Sequence, residues 1–252
     1  MKLEIAVIGA EGARIAAEGG ADRIELCTVL ERGGITPSAG LMEAALEEVG
    51  TRTEVHPLVR CRPGDFLYSA DDVRTMEREA RLLASQGAHG LVIGALAPSG
   101  FLDVKSVQAI ADAGRSVNPN IELTFHRAID QSPDALAAVE TLIDLGFTRV
   151  LSSGHAAKAG DGVGTHERMV RRAAGRLQIM AGGGLEVADI PLMHRAGVDA
   201  VHLSAKRISS TLRNSALSLG TADGEDPTAY MLTDPKVVRA ARAAVDAAGS
   251  VR

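Results

Sequence analysis

The chain has no tryptophan, two tyrosines and four phenylalanines among its 252 residues, so it lacks an aromatic platform on which nucleobases could stack. Its formal net charge is −5, without the clustered Lys and Arg that would neutralise a phosphate backbone, and no nucleic-acid partner is expected. Cysteine is nearly absent. Cys27 and Cys61 are the two thiols, which is no disulfide framework for a secreted protein. No apolar run approaches the ~20 residues that cross a bilayer, so no membrane association is expected. Met1-Lys2-Leu3-Glu4 runs directly into a strand-like segment with no apolar h-region or small-residue cleavage site, which makes the cytoplasm the expected location. Ile8-Gly9-Ala10-Glu11-Gly12 lacks the G-x-G-x-x-G spacing of a dinucleotide turn, and no nucleotide cofactor is expected.

What is present is a repeating alternation. Short apolar runs at 3–8, 22–27, 54–60, 89–94, 121–126, 148–152, 177–181 and 199–203 read as strands. Between them lie segments with helical apolar spacing, such as Leu41, Ala45, Leu46, Val49 and Val104, Val107, Ala111. Gly87, Gly146 and Gly197 stand where helices would end. Asp103 and Ser132 are expected N-caps, and the helix near Asp189 is expected to begin a residue or two before it. Strand starts recur roughly every 20–35 residues, the scale of a βαβ unit. Eight such units and a final helix at 235–248 predict an α/β fold, a single (β/α)₈ barrel over 1–252, with a doubly wound sheet as the alternative. The stretch at about 206–234, rich in Ser, Thr, Asn and Asp, reads as a long loop on the catalytic face, either a lid or a surface insertion.

Side chains two apart on a strand share a face. Ile24 and Leu26 should pack under helices, which turns Glu25 and Cys27 into the barrel; the same parity groups His56, Leu58 and Arg60, then Thr124 and His126, then His202 and Ser204. A barrel interior is ordinarily filled by Val, Ile and Leu, so ionisable groups from several strands point to a functional cavity at the strand C-termini. An internal salt bridge such as Glu25–Arg60 is the structural alternative. His126 would act as acid/base, with Glu25 or Asp130 setting its tautomer. Arg60 and Arg62 would clamp a carboxylate or phosphate, with pairing to Asp65 equally open for Arg62. Gly182-Gly183-Gly184, Ser152-Ser153-Gly154 and the His202–Ser204 segment form an expected anion cradle. Cys27 reads as a metal ligand, a nucleophile or a small buried hydrophobe; with Cys61 on the neighbouring strand a thiolate pair would suit Cu(I).

Taken in order, several segments resemble the CutC family of copper homeostasis proteins: Glu25-Leu26-Cys27, Gly33 to Ser38, Arg60 to Phe66 with Tyr68, Thr124 to Ala128, Arg149 to Gly154, Met180 to Gly184, His202 with Ser204-Ala205, and Arg213-Asn214. The resemblance implies a cytoplasmic barrel, a homo-oligomer, with copper binding as the attached role. It places Glu25, Arg60, Arg62, Asp65, His126 and Arg127 at family positions around the mouth. Two departures stand out: Cys61 replaces the usual Pro of an R-P-R segment, and Leu203 replaces a Ser of an H-S-S-A segment. The residues themselves suit a small phosphorylated or carboxylated metabolite, acted on by lyase or isomerase chemistry without a metal, and a non-catalytic assembly role is a third reading.

Overall fold

The computed structural model describes residues 1–210 and 228–250. Eight parallel strands run β1 (Lys2–Val7), β2 (Arg23–Leu26), β3 (Glu54–Pro57), β4 (Gly90–Ile93), β5 (Glu122–Phe125), β6 (Arg149–Ser152), β7 (Gln178–Gly182) and β8 (Ala200–Leu203). Their order is β3-β2-β1-β8-β7-β6-β5-β4. A parallel bridge between Leu58 and Val92, with the Val59 N–H donating to Val92 O at 2.8 Å, joins β3 to β4 and closes the barrel. Each run expected from the sequence is a strand, and the doubly wound alternative falls away.

Alternation along these strands sorts two populations. Leu3, Ile5, Val7, Ile24, Leu26, Val55, Leu91, Ile93, Leu123, Phe125, Val150, Ile179 and Val201 face outward into one continuous core beneath the helices. The inward set forms two small apolar clusters, Cys27–Leu58–Val92 and Leu151–Met180–Ala200, and apart from Ala6 and the flanking Ile8 and Leu30 is mostly polar or glycine. The helices are α1 (Ala10–Glu18), α2 (Ala39–Val49), α3 (Ala70–Ser85), α4 (Val104–Arg115), α5 (Ala135–Asp144), α6 (Val163–Ala173), α7 (Ile190–Ala196) and α8 (Pro235–Ser250). α3 starts on a capping box, in which the Ser69 hydroxyl accepts from Asp72 N and the Asp72 carboxylate accepts from Ser69 N. Asp103 caps α4 as expected, accepting from Ser106 N. Ser132 does not cap α5. It precedes Pro133, which holds it extended (ψ 141), and Asp134 takes the role by accepting from Leu136 N and Ala137 N. The chain into α7 turns early, as expected, through a 3₁₀ turn at Val187–Asp189.

The 206–234 stretch is not irregular at its ends. β9 (Lys206–Ser210) pairs antiparallel with β10 (Ala229–Thr233), and the Asp234 N–H donates to Ala205 O at 2.7 Å. Residues 211–227, the centre of the expected lid or insertion, lie outside the described residues, and Arg213 and Asn214 lie there with them. Among the described residues, no helix is long and apolar enough to cross a membrane.

Candidate functional site

The barrel interior is an ion network, and most of it begins at the strand N-termini. Arg23 and Arg149 are wholly buried. Arg149 donates to Gln178 Oε1 (3.0 Å), Thr124 Oγ1 (2.9 Å) and Glu122 Oε2 (2.8 Å). Arg23 donates to Glu4 and lies 3.7 Å from the Glu54 carboxylate. Burying such charges unpaired would cost several kcal/mol each, so each guanidinium arrives with its carboxylates. His56, expected among the mouth residues, belongs to this lower layer, 3.8 Å from Glu54 and 4.0 Å from Glu122. Burial, with Arg23 adding, holds it well below the ordinary histidine range.

The network climbs to the mouth through Glu4. The Glu4 carboxylate accepts from His202 Nδ1 at 2.8 Å, and Glu25 Oε2 lies 3.5 Å from the same nitrogen. Burial works against the Glu4 anion, yet the Arg23 charge and the His202 bond outweigh it and hold the group far below its usual range. Glu25 has no such cation. Its burial dominates, the His202 charge only partly offsets it, and its carboxyl is raised to about 7. His202 is desolvated too, but the two carboxylates more than compensate and raise it above the ordinary value. Glu25 and His202 are thus a buried acid–base pair in which both groups are raised, the Glu25 carboxyl to near neutrality.

That pair lines a cavity of about 240 Å³ at the C-terminal ends of the strands, with Arg60, His126, Arg127, Lys206, Phe66 and Ser204 among its walls, and Gly183 and Gly184 on the β7 side. A wider outer recess shares Gly33, Arg60, Phe66 and Arg127 and adds Arg32 and His155. The mouth is cationic. Gly183 permits it: at φ +103, a Cβ there would sit 2.6 Å from the Arg127 guanidinium carbon.

Several expected pairings are absent. Glu25 does not pair with Arg60. The Arg60 guanidinium donates instead to the carbonyls of Arg32, Gly34 and Gly64 and lies 5.0 Å over the Phe66 ring, leaving its buried Nε without a partner. Neither Glu25 nor Asp130 sets the His126 tautomer. Nδ1 of His126 accepts from the Ala128 N–H at 3.1 Å, which leaves Nε2 to carry the proton, and Nε2 is buried without a partner. Burial first, then the Arg60 charge, pushes His126 down to about 3, so it is neutral.

The β6 cradle is already filled by the chain itself. Asp130 accepts from Ser152 Oγ (2.6 Å), from Ser153 N (3.0 and 2.9 Å) and from Arg127 Nε (2.9 Å). Ser153 Oγ donates to Ala156 O, and Gly154 N donates to Ser152 Oγ. Ser152, Ser153 and Gly154 therefore form a carboxylate seat that fixes Arg127, and they stand away from the inner cavity. Gly182 packs against Leu151 and His202 at the end of β7. Arg62 pairs with Asp65 at 3.0 Å, donates to Leu67 O and lies over Tyr68, locking its own exposed loop.

The thiols do not form a pair. Cys27 lies in the inner cluster with Leu58 and Val92, whereas Cys61 packs on the outer core and donates to Asp72 at 3.7 Å. Burial, with Glu25 and Glu31 adding, pushes Cys27 well above the ordinary thiol range; burial and Asp72 raise Cys61 to about 11. Among the described residues, the groups of three donors close enough to share an ion are Glu4–Glu25–His202 and Glu54–His56–Glu122, and neither contains a cysteine.

Glu4, Arg23, Arg149 and Lys206 were not singled out from the sequence. The first three were within reach of the parity rule, since Leu3 and Ile5 turn Glu4 inward as surely as Ile24 turns Glu25.

A closed parallel barrel whose strand C-termini carry a cationic cavity around a buried Glu–His pair defines an α/β barrel with a candidate site at its mouth. The CutC family model matches residues 1–207, and the chain belongs to the CutC family. It is 36% identical over 241 residues to the human copper homeostasis protein cutC homolog, covering 94% of this chain and 86% of that one. It is 39% identical over 226 residues to a CutC family protein of Treponema denticola, covering 88% and 89%. Among solved structures, a CutC protein from Streptococcus agalactiae superposes with a TM-score of 0.75 at 26% identity, covering 81% of this chain and 98% of that one. A 3-hexulose-6-phosphate synthase (TM-score 0.60, 19% identity, 97% and 100% coverage) shares the fold alone.

Proposed function

We propose that this protein binds a small phosphorylated or carboxylated organic molecule in the barrel mouth and moves protons on it, as a lyase or isomerase does. The observation that carries this reading is the buried Glu25–His202 pair, 3.5 Å apart, facing a cavity walled by Arg60, Arg127 and Lys206. The cations suit an anionic group, and a carboxyl raised to about 7 exchanges protons at neutral pH with little driving force in either direction. A cytoplasmic location and self-association, both implied by the family resemblance, belong to this same proposal. Calorimetric titration with inorganic phosphate and with 2-phosphoglycolate is the test. Binding by wild type, weakened about tenfold or more in Arg127→Leu, is expected. No heat of binding from either anion in wild type would end the reading.

Copper is the second reading, supported by the human and mouse relatives that carry copper homeostasis in their names. Cu(I) favours thiolate and thioether ligands. Here the inner thiol is alone, held protonated by burial, and the nearby clusters are carboxylate and imidazole. Those donors do not fit Cu(I), and Glu4 is already engaged by Arg23. Anaerobic Cu(I) titration of wild type and Cys27→Ser decides the point. Stoichiometric binding lost in the variant would favour copper; equal, weak binding in both would remove Cys27 as a ligand.

A further inference from the structure

His126 sits in the wall of the cavity with an arrangement that a general base would not have. Its Nδ1 is taken by the Ala128 N–H at 3.1 Å, so the lone pair a base needs is occupied. Its ring is boxed in by Phe66 at 4.8 Å between centroids and by Gly94, where a Cβ would meet the imidazole at 2.5 Å. The remaining nitrogen, Nε2, carries a hydrogen and is a buried donor with nothing to donate to. Leaving such a group unsatisfied carries its full desolvation penalty, which an acceptor on a bound molecule would recover. Arg60, which also lines the cavity, carries a second buried donor without a partner, its Nε. Glu25 lines the same cavity, and His202 beside it is held by Glu4.

We infer that the anionic ligand of this site is a carbonyl compound, that Nε2–H of neutral His126 donates to its carbonyl oxygen, and that Glu25 removes a proton from the adjacent carbon. This rests on the anion-binding reading above and deepens it. In the step, the Glu25 carboxylate takes the proton from the carbon next to the carbonyl. The C–H electron pair becomes the C=C bond of an enolate, and the carbonyl π pair moves onto oxygen, where it receives the His126 hydrogen bond. Exchange of the proton on Glu25 with solvent, followed by its return to the same carbon, completes a hydrogen exchange, and no oxidant, reductant or second substrate is required. A neutral imidazole suits this role because its proton is weakly acidic and stays on nitrogen while charge develops on oxygen. An imidazolium would instead protonate the oxygen. A carboxylate base facing a neutral histidine electrophile is a chemically sound division of labour for enolisation, since each group works in the protonation state that burial gives it.

The test is ¹⁵N NMR of histidine-labelled protein, with the His126 signals assigned by their disappearance in His126→Gln. Expected is a neutral ring, protonated at Nε2 and bare at Nδ1, unchanged between about pH 5 and 8. Saturation with 2-phosphoglycolate, whose carboxylate mimics the enolate oxygen, is expected to shift the Nε2–H resonance. A ring that titrates in that range, or that carries its proton on Nδ1, overturns the inference. So does binding of 2-phosphoglycolate, seen by calorimetry, that leaves Nε2–H unmoved; in that case anion binding itself stands. Absence of calorimetric binding overturns the anion-binding reading instead. A kinetic arm follows solvent deuterium entering phosphorylated ketoses and 2-oxo acids. Exchange is expected to fall about 10²-fold or more in His126→Leu and to be partly rescued in His126→Gln, which keeps an N–H donor. Equal exchange in wild type and His126→Leu, or none in wild type, counts against it.

Discussion

Asp130 grips Ser153 with both carboxylate oxygens, accepting the same backbone N–H at 3.0 and 2.9 Å. The same carboxylate also accepts the Ser152 hydroxyl and the Arg127 Nε–H, so a residue after β5 fixes the loop after β6 and aims the cation of the mouth. Asp130→Ala is expected to destabilise the protein by about 2–4 kcal/mol, because a buried N–H and hydroxyl lose their acceptor together. Asp130→Asn, which keeps one acceptor oxygen, should fall between. Urea unfolding measures both, and hydrogen exchange at Ser153 should quicken in the alanine variant. Wild-type stability in Asp130→Ala would remove the clamp.

Glu25 and His202 give the fold a dependence on pH with a definite sign. Both are raised in the folded protein, Glu25 from 4.5 to about 7. Each therefore contributes stability that is complete below its unfolded value and is lost as pH rises through the folded one. For Glu25 the shift corresponds to about 3 kcal/mol, gone above roughly pH 7–8. Glu25→Gln is expected to lose less stability across this window than wild type, the His202 contribution remaining through its bond to Glu4. Parallel melting profiles for the two proteins would contradict the assignment. Glu4 acts oppositely: its folded value is depressed, so its contribution is complete above its unfolded value of 4.5 and is lost progressively as pH falls from there through the folded one.

Arg23 and Glu4 are both wholly buried and bonded to one another. Arg23→Met should cost about 3–5 kcal/mol, since it strands a carboxylate in the barrel. Arg23→Met combined with Glu4→Gln is expected to recover more than half of that loss. A double-mutant cycle by chemical denaturation reads the coupling, and additive losses would show that the pair acts as two independent groups.

The barrel was legible because eight short apolar runs at βαβ spacing leave few other arrangements. Parity along a strand also read correctly that Glu25, His202 and His126 turn inward. What it could not read is the contact of one loop with another. Ser152, Ser153 and Gly154 looked like an open anion cradle, and nothing in their spacing announces that Asp130, some twenty residues earlier, already occupies it. The two cysteines show the same limit. They follow consecutive strands, yet Cys27, just past β2, faces the interior while Cys61, further past the end of β3, turns to the helical shell. Ser132 was displaced as a cap by a local rule that was available, the restriction imposed by Pro133.

The ribbon of β9 and β10 leaves the barrel and returns to it at one point. Lys206 at its root lines the cavity, Thr233 opposite is buried, and Ser210 pairs with Ala229 at the far end. The chain that joins those last two residues begins and finishes at neighbouring positions on a paired frame. Its length is therefore uncoupled from the geometry of β8 and α8, and each doubling of such a connection adds only about 0.6 kcal/mol of closure entropy. That connection can lengthen or shorten while the Glu25–His202 centre stays in register.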